Sequence, residues 1–331
     1  MTSKAICVHK TGGPEALCWE DLTIGDPGPN QVRIRHTAIG VNFIDIYHRT
    51  GLYPVPKLPF TPGIEAAGIV EAMGREVSSK APDIKVGDHV AYATPPVGAY
   101  SEVRLIDADR IVRLPDGIDD RTAAALLLKG MTARYLLRQT YRVQAGDVIL
   151  IHAAAGGVGL MVSQWAAHLG ALVIGTVGNE RKAELAAAHG CHHTILYHRE
   201  DFVALVKEIT QGKGVHVVYD SIGEETFMGS LDCLRPRGMM VSFGQSSGRP
   251  PLPLDIAELT SRGSLFLTRP TLMDYTNTSE ALAATARDVF DVVESGAVHV
   301  NIHQEFPLQA AADAHLALEG RKTTGSTILI P

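Results

Sequence analysis

The residues with the clearest chemical reading follow a short apolar run. Val148-Ile149-Leu150-Ile151-His152 leads into Ala153-Ala154-Ala155-Gly156-Gly157-Val158-Gly159, and then into the helix-forming stretch Leu160 to His168. A strand, a glycine-rich turn and a helix in that order make a seat for a pyrophosphate. Glycines permit the tight turn, let the backbone approach the phosphates and let the helix pack closely on the strand. The helix N-terminus adds unpaired N–H groups and a partial positive charge. Ala154 stands where the first glycine of the usual pattern would be, with Gly156 and Gly159 in the other two places. Such a turn can also be purely structural. The strand–helix units that continue after it favour a dinucleotide site.

The next strand indicates which dinucleotide. It ends Gly175-Thr176-Val177-Gly178-Asn179, so the place where NAD sites usually carry an acid for the ribose hydroxyls has none. Glu180, Arg181 and Lys182 follow. A carboxylate at the strand end would repel a 2′-phosphate, whereas a small residue leaves room and a cation stabilises it. The pattern predicts NADPH over NADH, with Glu180 as the one feature that opposes it.

These residues must be held by a larger framework. Before residue 120 the chain reads as short strands cut by turn signals: Val32–Arg35, Gly68–Ala72 and the run after Gly87-Asp88, with a Pro-rich segment from Pro54 to Pro62. Asp120 to Leu137 reads as one helix ending at Gly130 and another beginning there. From Val148 strands and helices alternate, with strands at 148–152, 172–176, 194–197, 215–220, 239–243 and 264–268. That alternation predicts a parallel sheet covered on both faces. Helices over Ser279–Glu294 and Leu308–Glu319 and a strand at Thr327–Ile330 close the chain. The expected fold class is α/β, a nucleotide-binding domain inserted between two parts of a mostly β domain.

Composition narrows the partners. The chain has 331 residues, 45% hydrophobic and 20% charged, with a net charge of −6. That balance offers no global attraction for nucleic acid or anionic lipid, so no nucleic-acid partner and no membrane are expected. The longest aliphatic run, Ala123 to Leu128, is too short to span a bilayer, and Met1 to Lys10 lacks the apolar stretch of a secretory signal. Cys7, Cys18, Cys191 and Cys233 show no paired spacing. A reducing, cytoplasmic setting is the expectation.

The segment Thr61-Pro62-Gly63-Ile64-Glu65-Ala66-Ala67-Gly68 resembles one in the medium-chain dehydrogenase/reductase superfamily, whose alcohol dehydrogenases carry Gly-His-Glu there with the His on zinc. Ile64 occupies the His position and cannot coordinate a metal, and the cysteine-rich lobe of a structural zinc is missing. No metal is expected. Ile39-Gly40-Val41-Asn42-Phe43-Ile44-Asp45, Arg49 to Pro54, Lys129-Gly130-Met131-Thr132-Ala133, Val218-Tyr219-Asp220-Ser221, Val241-Ser242-Phe243-Gly244 and the ending Gly325 to Pro331 resemble blocks of the zeta-crystallin-like, zinc-free quinone reductase branch. The likeness covers the whole chain. It implies a GroES-like catalytic domain of residues 1–126 and 269–331 around a doubly wound Rossmann domain of residues 127–268.

The resemblance also implies a site. Asn42, Phe43, Tyr47 and Tyr53 would line the cleft beside the nicotinamide, with Thr132 and Tyr135 near the cofactor. Gly156, Gly157, Val158 and Gly159 would meet the pyrophosphate. Gly178, Asn179, Lys182 and Tyr197 would surround the 2′-phosphate. Ser221, Phe243, Gly244 and Ser246 would lie along the cofactor, and Arg269 and Arg321 at the cleft edge. Asn42, Tyr47 and Tyr53 carry donors for the oxyanion that forms when a quinone takes up hydride, with the proton coming from a tyrosine or from water. An enone, alkenal or enoyl reductase on the same scaffold is the nearest alternative. A non-catalytic NADPH-binding role, crystallin-like or RNA-binding, is the alternative from another class. The family also implies a homodimer.

Overall fold

Strand Gln31–Val41 (β3) shows how the first sheet is specified. Val32, Ile34, His36 and Ala38 alternate into the core, and beyond them Ile39 to Val41 are buried on both sides. The computed structural model describes residues 1–81, 83–251 and 253–331. Two compact units divide the chain: Met1–Lys129, Thr276–Glu294 and Val300–Pro331 form the first, Gly130–Tyr275 and Ser295–His299 the second.

The first unit is mostly β. Strands β1 (Thr2–Cys7) and β2 (Cys18–Thr23) form an antiparallel pair. Besides β3, the larger sheet holds β4 (Glu65–Met73), β5 (His89–Ala93), β6 (Val103–Asp107) and β7 (Val112–Arg113), with β14 (Ile302–Pro307) and β15 (Ser326–Ile330) from the end of the chain. Its order is β14-β15-β3-β4-β5-β7, and β6 also pairs with β3. Its core joins Val32, Ile34 and Ile39 to Val70, Val90, Tyr92, Tyr100 and Leu329. The helix α1 (Phe43–Thr50) leaves the end of β3, and Gly51, at φ 80°, stops it in a left-handed turn. The single turn α2 (Val77–Lys80) follows β4.

The second unit is a parallel sheet. Strands β8 (Val148–Ile151), β9 (Leu172–Val177), β10 (His193–Leu196), β11 (Val215–Asp220), β12 (Leu234–Ser242) and β13 (Phe266–Thr268) take the order β10-β9-β8-β11-β12-β13. Helices α4 (Gly157–His168), α5 (Glu180–Ala188), α6 (Phe202–Ile209) and α7 (Phe227–Asp232) lie in the connections. Leu150, Ile174, Val218 and Met240 of the sheet pack with Val206, Phe227 and Leu231 of the helices. The chain winds outward from β8 to β10, then restarts on the other side at β11. Ligands of open α/β sheets bind at such a switch point, beyond the C-terminal strand ends. The short helices α8 (Ala257–Ser261) and α9 (Leu272–Tyr275) end this unit.

The structure differs from the sequence expectation at Gly130. A single helix, α3 (Asp120–Tyr135), runs through it and passes into a π-helical stretch, Leu136–Thr140. A mid-helix glycine costs only about 1 kcal/mol, and Ala123 to Leu127, Met131 and Ala133 on either side are buried to 1% exposure or less. Burial decides the continuity. At the end of the chain, Leu308–Ala310 is a 3-10 turn that precedes α11 (Ala311–Glu319), while α10 spans Ser279–Glu294 as expected.

Gly159 lets α4 approach the strand. A Cβ there would lie 2.3 Å from the Ala153 carbonyl oxygen and 2.7 Å from that of Ala154. The neighbours are backbone and cannot rotate away. Gly159→Ala is expected to lower unfolding stability by about 1–3 kcal/mol, measured by urea denaturation; wild-type stability would mean the turn yields freely.

Candidate active site

The second unit gathers three loops at the C-terminal edge of its sheet. At the first, Ala153 takes φ 53° and the Ala154 N–H reaches the Thr176 carbonyl at 3.0 Å. Gly156 then begins α4 as an extended N-cap without a side chain, and Gly157, Val158 and Gly159 form the first turn. Those N–H groups point out of the helix start, where an anion would be stabilised.

At the second loop, Gly178 and Asn179 follow β9. The Asn179 side-chain oxygen accepts the Lys182 N–H at 3.0 Å and so caps α5. Glu180, the acid that opposed a phosphorylated cofactor, pairs with Arg199 at 3.0 Å. Sequence reasoning missed that partner, which lies nineteen residues on and past a strand. Tyr197 lies against His198, ring centroids 4.0 Å apart.

At the third loop, Asp220 organises the turn after β11. Its carboxylate accepts the N–H groups of Ile222 and Gly223 at 2.8 and 3.0 Å and the Thr226 hydroxyl at 2.8 Å. Ser230 Oγ lies 3.1 Å from the same carboxylate and 2.9 Å from His152 Nε2, while His152 Nδ1 lies 2.8 Å from Thr176 Oγ1. Burial pushes the His152 imidazole below its ordinary range, partly opposed by Asp220. A neutral ring has one N–H to give. The single Ser230 proton already faces the Asp220 carboxylate and the Thr226 carbonyl, so Nε2 donates to Ser230 and Nδ1 accepts from Thr176. Ends of β8, β9 and β11 are thereby tied together. The Ser221 carbonyl accepts the Ser246 N–H at 3.1 Å, and a Cβ on Gly244 would lie 2.8 Å from the Ser221 carbonyl oxygen. Arg269 donates to Ser242 Oγ at 3.0 Å and to Gln245 Oε1 at 2.9 Å. Ser221, Phe243, Gly244, Ser246 and Arg269 thus form one cluster. Thr132 and Tyr135 lie on α3, and the Tyr135 ring stacks on Tyr275 at 4.6 Å.

The first unit is organised around a buried carboxylate of its own. Glu65, with no exposed surface, accepts the Leu128 N–H at 2.7 Å, Lys129 Nζ at 3.1 Å and Asn42 Nδ2 at 2.8 Å. A carboxylate only accepts, so the Asn42 amide turns its nitrogen to Glu65 and its oxygen away. One of its two N–H bonds is therefore committed. A Cβ on Gly40 would meet Glu65 Oε2 at 2.1 Å and the Ala124 carbonyl oxygen at 2.4 Å, so only glycine fits beside this carboxylate. Ile64 is buried completely beside it. Asn42 also begins α1, where its N–H donates to Asp45 Oδ2 at 2.9 Å. One turn apart on α1, Phe43 and Tyr47 have ring centroids 6.3 Å apart, and Tyr47 and Tyr53 are 5.1 Å apart. Asn42, Phe43, Tyr47 and Tyr53 are brought together; Arg321 lies exposed past α11, at φ 53°.

A chain of groups that the sequence reading did not identify, buried except for Glu319 at its outer end, supports α1 from behind. Arg49 donates to Glu319 through both terminal nitrogens, at 3.1 and 2.7 Å, and to His315 Nδ1 at 3.2 Å. Since arginine only donates, His315 carries its proton on Nε2 and gives it to the Tyr100 hydroxyl, 3.0 Å away. Tyr100 in turn donates to Asp45 Oδ2 at 3.1 Å. Burial, with Arg49 adding to it, pushes His315 down to about 3. Burial pushes Asp45 up to about 7, and its second oxygen has no partner among the described residues. The one signal in the sequence was charge inside apolar runs: Glu65 before Ala66-Ala67, Lys129 after Ala123 to Leu128. No group of three His, Cys, Asp or Glu side chains among the described residues is arranged to hold a metal ion.

Comparison with known proteins agrees with this architecture. Residues 28–116 match the family described as "Alcohol dehydrogenase GroES-like domain" and residues 157–286 that described as "Zinc-binding dehydrogenase". The fold and these two matches define a medium-chain dehydrogenase/reductase. A quinone oxidoreductase of Pseudomonas aeruginosa is 52% identical over 99% of this chain and 100% of its own. A 2-haloacrylate reductase of a Burkholderia species is 49% identical, covering 99% and 98%. The crystal structure of Escherichia coli quinone oxidoreductase complexed with NADPH superposes with a TM-score of 0.96 at 48% identity, covering 99% and 100%. Within the superfamily, the chain belongs to the quinone oxidoreductase family.

The raised Asp45 has a consequence for stability. The folded chain binds its proton more tightly than the unfolded chain does. That contribution is full below about pH 4 and is lost as the pH rises through about 7. Asp45→Asn keeps an acceptor for Asn42 and Tyr100 and buries no charge. It is expected to gain about 2–4 kcal/mol over wild type at pH 8, a gap that closes by pH 4 in urea titrations. Parallel pH profiles for the two proteins would contradict the burial of an ionised Asp45.

Proposed function

We propose that this chain is an NADPH-dependent quinone reductase that transfers hydride directly to its acceptor without a metal. The observation that carries the reading lies in the first unit. Where related alcohol dehydrogenases present a zinc ligand, Ile64 is buried and Glu65 is turned to hold Asn42, so the polar groups of this region are Asn42, Tyr47 and Tyr53. The names of the Pseudomonas aeruginosa and Escherichia coli relatives support the substrate class.

The residues fit the cofactor. Gly156 to Gly159 offer a helix start without a side chain, Gly178 leaves the end of β9 without an acid, and Lys182 stands on the first turn of α5. Bound NADPH supplies the hydride. Gly156, Gly157, Val158 and Gly159 hold its pyrophosphate; Gly178, Asn179, Lys182 and Tyr197 its 2′-phosphate end. Ser221, Phe243, Gly244 and Ser246 run along it, with Thr132, Tyr135, Arg269 and Arg321 as further contacts. Arg269, through Ser242 and Gln245, also fixes the loop that carries Phe243 to Ser246. Tyr47 and Tyr53 donate to the acceptor oxygen on which charge develops, and the remaining N–H of Asn42 adds to them. The proton comes from a tyrosine or from water.

Reduction of a conjugated alkene is the second reading, favoured by the 49% identity to a 2-haloacrylate reductase. A panel of 1,4-benzoquinone, an enone and 2-chloroacrylate under NADPH separates the two by kcat/KM. The chain is also proposed to act as a homodimer. Strand β13 lies at the edge of its sheet with Phe266 58% and Leu267 36% exposed, an edge that a second copy would cover. The four cysteines are unpaired and three are buried, which suits the cytoplasm.

Tyr47→Phe is expected to lower quinone turnover by about tenfold or more, while NADPH binding survives. Unchanged turnover would remove Tyr47 from the reaction. Dialysis against a chelator should leave the wild-type rate intact. Phe266→Asp should shift the protein from dimer to monomer by light scattering; a wild-type monomer would refute the dimer.

A further inference from the structure

The end of β9 carries more than the sequence pattern assigned to it. Leu196 of β10 pairs in register with Val177 of β9, so the residues that continue β10, Tyr197 and His198, emerge beside Gly178 and Asn179. A side chain begun at Gly178 would lie 3.7 Å from both Cδ2 and Nε2 of His198. The imidazole therefore borders the space that the missing acid of an NAD site would fill. It is exposed, rests against the Tyr197 ring and makes no hydrogen bond among the described residues. The other charges at this strand end are Arg181, Lys182, the Glu180–Arg199 pair and Glu200, whose carboxylate accepts the Leu196 N–H at 2.6 Å. Both members of that pair are about three-quarters exposed, 75% and 73%, so it adds little to stability. Its effect is to compensate the Glu180 carboxylate, which would repel an anion at the start of α5.

We propose that His198 is a specificity-determining residue for the phosphorylated cofactor, its Nε2 donating to the adenosine 2′-phosphate over Gly178, while Arg199 neutralises Glu180. The inference rests on the NADPH reading of the proposed function. A hydroxyl in place of the phosphate would not fill the space or reach the imidazole, so the contact discriminates between the two cofactors.

The test is a fluorescence titration of the purified protein with NADPH and with NADH, in the absence of any acceptor. His198→Ala is expected to weaken NADPH binding about tenfold and to leave NADH binding within about twofold. His198→Gln, which retains a donor, should recover part of the loss. Arg199→Ala should also weaken NADPH, and adding Glu180→Gln to it should restore the affinity, since the uncompensated carboxylate is then gone. A His198→Ala protein with the wild-type ratio of NADPH to NADH affinity, or with both weakened alike, overturns the proposal. A wild-type protein that does not prefer NADPH overturns the cofactor reading itself, and this inference with it.

Discussion

A carboxylate without exposed surface is tolerable only where donors surround it, and Glu65 imposes that condition on the first unit. Three groups meet it: a main-chain N–H from Leu128, the Lys129 ammonium and the Asn42 amide. They come from two places, helix α3 and the junction of β3 with α1, so satisfying one charge fixes the end of β3, the start of α1 and the middle of α3 against β4. The lack of a side chain at Gly40 follows from the same contact, because the carboxylate occupies the volume where a Cβ would sit. Helix α1 then sets Phe43 and Tyr47 one turn apart and brings Tyr53 back against Tyr47 through a main-chain bond of 3.0 Å. The residues proposed to meet the acceptor are positioned by an ion pair that need not touch it.

The second unit solves the same problem with a different set of groups. Asp220 is also fully buried, and its donors are two main-chain N–H groups and two hydroxyls. Through Ser230 and His152 the network reaches Thr176, so the loops after β8, β9 and β11 are held by one connected set of hydrogen bonds. Such a set is specific because each member lacks an alternative partner in the interior. Parallel strands bring these loops to one edge, and the reversal of winding at β8 opens a place between them. The nucleotide reading of the glycine turn therefore depends on buried polar groups as much as on the glycines. The third network, from Asp45 to Glu319, ties α1 to α11 and settles by arginine's lack of an acceptor which nitrogen of His315 bears the proton.

Several features were legible because they are local. The turn at Gly156 to Gly159, the missing acid after β9 and Ile64 in the zinc-ligand position depend on residue type at known offsets from a strand. Others were illegible because the deciding contact is distant in the chain. Glu180 read as an obstacle until Arg199 was found beside it. Asn42 read as a donor for an oxyanion, yet half of its N–H capacity goes to Glu65, twenty-three residues away. Gly130 read as a helix break, and burial of the apolar residues around it overrode the local preference. His198 carried no signal at all, since a lone histidine after a strand is unremarkable until register sets it over Gly178.

Hydrophobic period, glycine placement and the residue types at the strand ends were enough to determine the α/β class and the parallel sheet, and to point to a phosphorylated cofactor. Those properties follow from backbone sterics and from side chains a few positions apart. Which charges are buried, which amide atom faces which oxygen and which cation offsets Glu180 were decided by tertiary structure alone. Burial and electrostatic compensation are properties of all the atoms within a few ångströms of a group, and folding brings most of those atoms from elsewhere in the chain.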